Sequence, residues 1–440
     1  MFEITANSME NHWAPFTPNK DFKAAPRLLE RGEGVYYYND KGEKLIDGSS
    51  ALFNVPLGHG RMDIADAIYE QAKKMAYASS FNVGHQLSFE LASRLSRILP
   101  SGLNRVFFNG SGSEAVETAI KIAMAYNRAR GEGHRTRFVS RERAYHGVNL
   151  TGVSLSGMIK NRHVFNMGLP YVSLMRHTHN PATPFVKGQP TEGADLADDL
   201  QRACDNYGGD NIAACFVEPI AGSTGTLVPP VGYLDRLREI CDKHGILLVF
   251  DEVITGFGRT GKGFAAEKYG VTPDIMTMAK AITNGAQPMG AVAVKQEIHD
   301  TIVDGADDPR MVEFFHGYTY SAHPCACAAG LATLKIYEDE GIFERAGKME
   351  AYFLEQLFSL EGKNGVIGIR GDGLMGGIDV EASDKPGMRG IQMTKRLWEA
   401  GMHIKFTGDC GIIAPPLVST ESHIDEMIEK MGKALSAEFG

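Results

Sequence analysis

The sequence predicts an α/β fold around a mostly parallel sheet. Strand-like runs alternate with helix-like segments through the middle of the chain. The runs are apolar at consecutive positions, as strands covered on both faces are. Several of them stop at a polar or acidic residue, namely Asn109, Glu218 and Asp251. Open α/β sheets bind their ligands there, beyond the carboxyl ends of the strands.

Taken in order, the first 60 residues, with "GVYYYNDKGEKLIDGSS", read as a small hairpin region. Residues 104–109, "NRVFFN", are a strand, and 113–130 a helix. In that helix Ala115, Ala119 and Ala123 recur every four residues, as do Val116, Ile120 and Met124. Residues 136–140 and 212–217 are further strands, with 180–195, rich in Pro, Thr and Gly, the long exposed loop between them. Residues 232–245 form a helix closed by Gly245 and leading into an apolar strand, 246–250. "PDIMTMA" and "GAVAV" are short strands. From Cys325 on, helical patterns dominate, with a strand candidate in "GGIDV". The final helix carries Ile424, Met427, Ile428, Met431 and Leu435 as a packing stripe.

The totals exclude several classes. A formal charge of −9 argues against nucleic-acid binding, which shows a basic stripe. No run of about 18 apolar residues marks a membrane span, and "MFEITANSMENHW" lacks a signal-peptide pattern. Cys204, Cys215, Cys241, Cys325, Cys327 and Cys410 show no zinc-type spacing, so the sequence reads as a reduced, cytoplasmic protein without a metal. His177 and His179 sit in a polar loop and read as solvated.

Gly256, Gly258 and Gly261 match a dinucleotide fingerprint in spacing alone. No helix opens within the motif, and Gly263 stands where a nucleotide P-loop needs Ser or Thr. The stretch 109–117, "NGSGSEAVE", lies between a strand and a helix. Ser111 and Ser113 add hydroxyls to a helix start, which favours phosphate. Ser111 and Glu114 also have capping-box spacing, and the two readings are compatible. Lys280 follows a strand among apolar and small residues, so its amine either snorkels to water or is desolvated and nucleophilic. A phosphate cradle, a strand-end acid and a desolvated lysine on one sheet together fit pyridoxal 5′-phosphate.

At this point the chain resembles the class III aminotransferases of PLP fold type I, near the ω-amino acid:pyruvate (β-alanine:pyruvate) group. The resemblance runs nearly end to end and rests on "GSGSEA", "AYHGV", "FVEPIAGSTG", "LLVFDEVITGFGRTG", "AKAITNGAQPMGAV" and "HGYTYSAHP". It implies a large domain (59–324) with a sheet sandwiched by helices. A smaller α+β domain is then built from both termini (1–58 and 325–440). It implies that Lys280 binds the cofactor's aldehyde and that Asp251 pairs with the pyridine nitrogen. Tyr145 and Val253 take the two ring faces, with His146 beside them, and Ser111, Gly112 and Ser113 hold the phosphate. Glu218 supports the site. Tyr318 and Thr319 reach the neighbouring subunit's phosphate, so the resemblance implies a homodimer or a dimer of dimers.

Phe53, Phe81, Tyr145 and Ser223 are the pocket walls that the resemblance suggests. Ornithine- and GABA-type relatives carry Gln three residues after the pyridine Asp, where this chain has Ile254. The ω-transaminases usually clamp the substrate carboxylate with arginine. Lys405 stands at that position, a point charge in place of a two-bond fork. Arg162 is the candidate to compensate. The expected reaction moves an amino group from an ω-amino acid or amine to pyruvate by a ping-pong route. A same-fold enzyme with other chemistry, such as a taurine- or diamine-specific transaminase or an aminomutase, is the alternative.

Overall fold

The computed structural model describes residues 6–165 and 168–440. Among these residues the strands form three sheets. The central one has seven strands, numbered here in chain order: β1 (Leu103–Asn109), β2 (Arg137–Arg141), β3 (Val172–Met175), β4 (Ile212–Val217), β5 (Leu247–Asp251), β6 (Ile275–Ala279) and β7 (Gly290–Lys295). Across the sheet the order is β1-β7-β6-β5-β4-β2-β3. β7 runs antiparallel to both its neighbours, and the remaining pairs are parallel. The carboxyl ends of β1, β2, β4, β5 and β6 therefore share one edge. Asn109, Arg141, Glu218, Asp251 and Lys280 stand at or just beyond it.

The apolar runs explain why this sheet lies in the middle. Every residue of β4, β5 and β6 is buried, so helices must cover both faces. The helix Tyr233–His244 ends at Gly245, whose φ of +66° is the left-handed turn that glycine takes without strain. The helix Gly112–Ala129 buries Ala115, Ala119, Ala123, Val116 and Ile120. Met124, expected on the same stripe, is exposed. Each four-residue step overshoots a helical turn by about 40°, so a residue at the stripe's margin drifts out to water.

A second sheet pairs Leu29–Glu33, Tyr36–Asn39 and Lys44–Asp47 with Met402–His403. The expected hairpin region is thus a three-strand meander closed by a strand from the other end of the chain. The third sheet joins Lys405–Thr407, Cys410–Ile413, Gly376–Val380, Val366–Gly371 and Phe185–Lys187. Segment 180–195 is therefore not simply an exposed loop. Phe185–Lys187 pairs in parallel with Ile369–Gly371, and Phe185 packs against the main core.

Two tie-points bring these layers to the central sheet's edge. The Arg259 guanidinium is buried and donates to the carbonyls of Leu374 and Pro415 and to Ser50 Oγ, at 3.0, 2.6 and 2.9 Å. Asn284, just after Lys280, accepts from Leu57 N at 2.9 Å and donates to Gly58 O at 3.0 Å. Segment 50–58 is thereby held against the Lys280 turn. No helix among the described residues is long and apolar enough to cross a membrane.

Candidate active site

A cavity of about 130 Å³ opens at the carboxyl edge of the central sheet, and Lys280, Asp251 and the start of the helix Gly112–Ala129 all line it. Ser111 caps that helix, its hydroxyl accepting from Glu114 N at 3.2 Å. The Glu114 carboxylate reaches back to Gly110 N at 2.6 Å rather than to Ser111 N. The expected capping box is thus displaced by one residue, and it coexists with first-turn N–H groups that face the cavity. Ser113 Oγ accepts from Val148 N at 3.1 Å. The hydroxyl protons of Ser111 and Ser113 have no acceptor among the described residues. Gly147 has a φ of +92°, and a Cβ there would sit 2.6 Å from Ser113 Oγ. Only glycine lets these two segments approach this closely.

The Asp251 carboxylate is buried and held by three donors. Its Oδ1 accepts from Thr277 Oγ1 at 3.0 Å and from Val253 N at 3.2 Å, and its Oδ2 lies 2.8 Å from His146 Nδ1. The parallel register sets the first contact, because Asp251 and Thr277 are partners across β5 and β6. Glu218 is buried beside it and accepts from Tyr145 N at 3.0 Å. Burial pushes its carboxyl above the usual range, with the Asp251 charge adding to the effect and His146 and Arg141 opposing it. Burial likewise raises the Tyr145 phenol, and the Asp251 and Glu218 charges add to that.

Lys280 takes a φ of +52°, a left-handed backbone that a side-chain-bearing residue holds only under constraint. Burial lowers its amine to about 8, and the Lys405 charge adds to the drop, while Asp251 and Glu218 oppose it. The amine lies 5.7 Å from the centre of the Phe53 ring, and Lys405 Nζ lies 5.5 Å from the same ring. Lys405 is half-buried and joins the site, with its proton affinity lowered by burial.

The structure thus brings Ser111, Gly112, Ser113, Tyr145, His146, Glu218, Asp251, Val253 and Lys280 to one cavity, with Phe53 and Lys405 beside it. Other expected residues lie elsewhere in the single chain. Phe81 is exposed and lines a separate cavity with Phe107 and His316. Arg162 is exposed on the short helix Ile159–His163 and does not line the Lys280 cavity of the single chain. Ser223 is buried in the turn next to Gly222, which packs on Ile254. Tyr318 OH donates to Glu114 O at 3.4 Å, and Thr319 is exposed with its carbonyl taken by Tyr77 OH.

Sequence reasoning missed Thr277, Gly147 and the lining role of Ile254. Thr277 had a signal, as the one hydroxyl inside an apolar strand. The glycines of the apparent nucleotide motif serve packing instead, Gly256 against the Glu252 carbonyl, Gly258 against Leu417 and Phe343, and Gly261 against Gly347, and Glu252 anchors the segment's start. Its buried carboxylate, raised to about 7 by burial, accepts from Thr255 Oγ1, Ala265 N and Ala266 N.

A profile of the class-III aminotransferases matches residues 18–435. The chain is 50% identical to an omega-aminotransferase of Caulobacter vibrioides, covering 99% of each. It is 44% identical to the beta-alanine–pyruvate aminotransferase of Pseudomonas aeruginosa, covering 98% of this chain and 96% of that one. An omega transaminase of Pseudomonas jessenii, solved in complex with PMP, superposes with a TM-score of 0.93 at 31% identity, over 99% of this chain and 98% of that one. Class-III aminotransferases work with pyridoxal 5′-phosphate, and this cavity fits it. It offers unclaimed N–H and hydroxyl donors at one end, a carboxylate in the floor and a desolvated amine. Its close wall at Gly112, where a Cβ would meet Val253 Cγ1 at 3.1 Å, suits a flat ring. The chain belongs to the class-III aminotransferases of PLP fold type I, enzymes that exchange an amino group between amines and keto acids.

Proposed function

We propose that this enzyme moves the amino group of an ω-amino acid or amine to pyruvate in two half-reactions, with Lys280 as the reacting amine. The single observation that supports it most is that desolvated Lys280 and the Asp251 carboxylate line one cavity. The cofactor, when bound, supplies an aldehyde for the amine and a ring that spreads carbanion charge. Lys280 is nucleophilic because burial weakens its hold on a proton. It then holds and returns the proton that the donor carbon gives up. Asp251, oriented by His146 and Thr277, keeps a proton on the ring nitrogen. Ser111, Gly112 and Ser113 hold the phosphate, and Tyr145 and Val253 confine the ring.

The P. aeruginosa relative is named for β-alanine and pyruvate, which supports pyruvate as acceptor. Lys405, beside Phe53, receives the substrate carboxylate in this reading. Residues 59–324 make up the large domain that carries the reacting groups, and 1–58 with 325–440 make up the small one. The enzyme works as a homodimer or a dimer of dimers. Phe81, Phe89, Tyr77, Tyr320 and Phe315 are exposed, with Tyr77 and Tyr320 ring to ring at 6.2 Å, an apolar face that suits a second copy. Six unpaired, buried cysteines support a reducing, cytoplasmic setting.

A panel of amines offered with pyruvate or 2-oxoglutarate tests this. Alanine should form from ω-amino acids with pyruvate, and 2-oxoglutarate should serve poorly. Amino transfer to 2-oxoglutarate alone would overturn the acceptor.

A further inference from the structure

The Phe53 ring is shared by two amines. Lys280 Nζ and Lys405 Nζ lie 5.7 and 5.5 Å from its centre. Neither amine has a hydrogen-bond partner or a carboxylate at ion-pair distance among the described residues. The arrangement is built rather than incidental. Ser50, Ala51 and Phe53 all have positive φ, at 47°, 58° and 64°. Such a run persists only where its surroundings enforce it. Asp47 accepts from Ser49 N and Ala51 N, and Ser50 Oγ donates to Ala414 O. Ser49 Oγ accepts from Lys405 N and donates to Ile412 O, so the strand that bears Lys405 is clipped to the segment that presents Phe53.

Two like charges that share one ring repel each other through a poorly screening medium. The ring's negative face offsets part of this for each amine. Extending the role given above to Lys280, we propose that Lys405 reports to Lys280 whether a carboxylate is bound. Unpaired, Lys405 repels a proton on the Lys280 nitrogen, and a substrate carboxylate cancels that repulsion. Carboxylate-bearing donors and keto acids therefore adjust the base that serves them, whereas plain amines meet it unadjusted. The pH profile should differ between the two substrate classes.

The other charged and titratable groups leave this role to the ligand. Facing Lys280 are Asp251 from β5 and Glu218 after β4, both favouring its proton, and Lys405, which opposes it. Tyr145 and His146 line the same cavity. His146 is engaged with Asp251, and the Glu218 carboxyl accepts from Tyr145 N. Glu218 also acts on Lys405 to favour its proton.

The test is a pH titration of the holoenzyme's visible absorption band, which reads the proton on the Lys280 nitrogen without turnover. Propionate serves as the probe, since it has a carboxylate but neither amine nor ketone, and chloride at matched ionic strength is the control. In the native enzyme propionate should raise the midpoint by on the order of one pH unit. Lys405→Gln should raise it without propionate and make it indifferent to propionate, while Lys405→Arg should keep the native midpoint and response. A native midpoint in Lys405→Gln, or a propionate response that survives the substitution, overturns the coupling. Borohydride trapping on Lys280 separates the two readings. Trapping without any titration change ends the coupling alone, and failure to trap ends both.

Discussion

Nδ1 of His146 lies 2.8 Å from Oδ2 of Asp251, and the other ring nitrogen is buried with no hydrogen-bond partner among the described residues. The histidine is thus committed to one task, holding a carboxylate whose second oxygen is held by Thr277 and by Val253 N. Substituting His146→Phe keeps the ring's volume and removes the contact. A hydrogen bond to a charged group contributes about 1.5–3 kcal/mol, so each half-reaction should slow by about ten- to a hundredfold. Stopped-flow absorbance on a single turnover reads this, and Thr277→Val should show a smaller effect in the same direction.

Asp251→Asn removes the acid and nearly preserves the shape. The fold should survive, as read by circular dichroism. The single-turnover rate should fall by about 10²- to 10⁴-fold, the range expected when a positioned proton-holding group is lost. An unchanged rate would show that Asp251 is a packing residue only.

Gly147→Ala tests the phosphate end. The added Cβ would lie 2.6 Å from Ser113 Oγ on a backbone with φ at +92°. Ser113 must then move, and the cofactor should bind at least about tenfold more weakly, a loss of about 1.4 kcal/mol. Equilibrium dialysis of pyridoxal phosphate against the apoenzyme measures it. Unchanged affinity would detach Ser113 from the phosphate.

Lys280 also leaves a mark on stability. Its amine is lowered to about 8 in the folded apoenzyme from an ordinary 10.5. Between those values the unfolded chain binds more protons, so stability rises with pH across that window. Below pH 8 the buried charge is a full liability. Lys280→Met should therefore be more stable than the native apoenzyme at pH 7, by about 3 kcal/mol, and the gap should close toward pH 10.5. Thermal melts of both proteins across that range give the comparison. A gap that widens with pH would contradict the desolvation of this amine.

Six of the seven strands of the central sheet were legible because their apolar runs are short, continuous and bounded by turns; Val172–Met175, four residues broken by Ser173, was not expected. Asp251 and Lys280 were legible as charges stranded at the ends of such runs. The strand Phe185–Lys187 was not, since three residues among Pro, Thr and Gly carry no period, and its partner lies about 180 residues away. Thr277 passed as strand interior because its role depends on which residue faces it across β5. Phe53 and Lys405 came only through resemblance. They are far apart in sequence and meet through Ser49, Ser50 and Arg259, contacts that no local pattern encodes. Phe81 and Arg162 were expected at the site and lie outside the cavity of the single chain, one on an apolar face and the other on an exposed helix.

The most direct test of the central claim is chemical. Borohydride reduction of the holoenzyme, followed by peptide mapping, should leave one pyridoxyl group, on the peptide that carries Lys280. A pyridoxyl group on another lysine, or none at all, would contradict it.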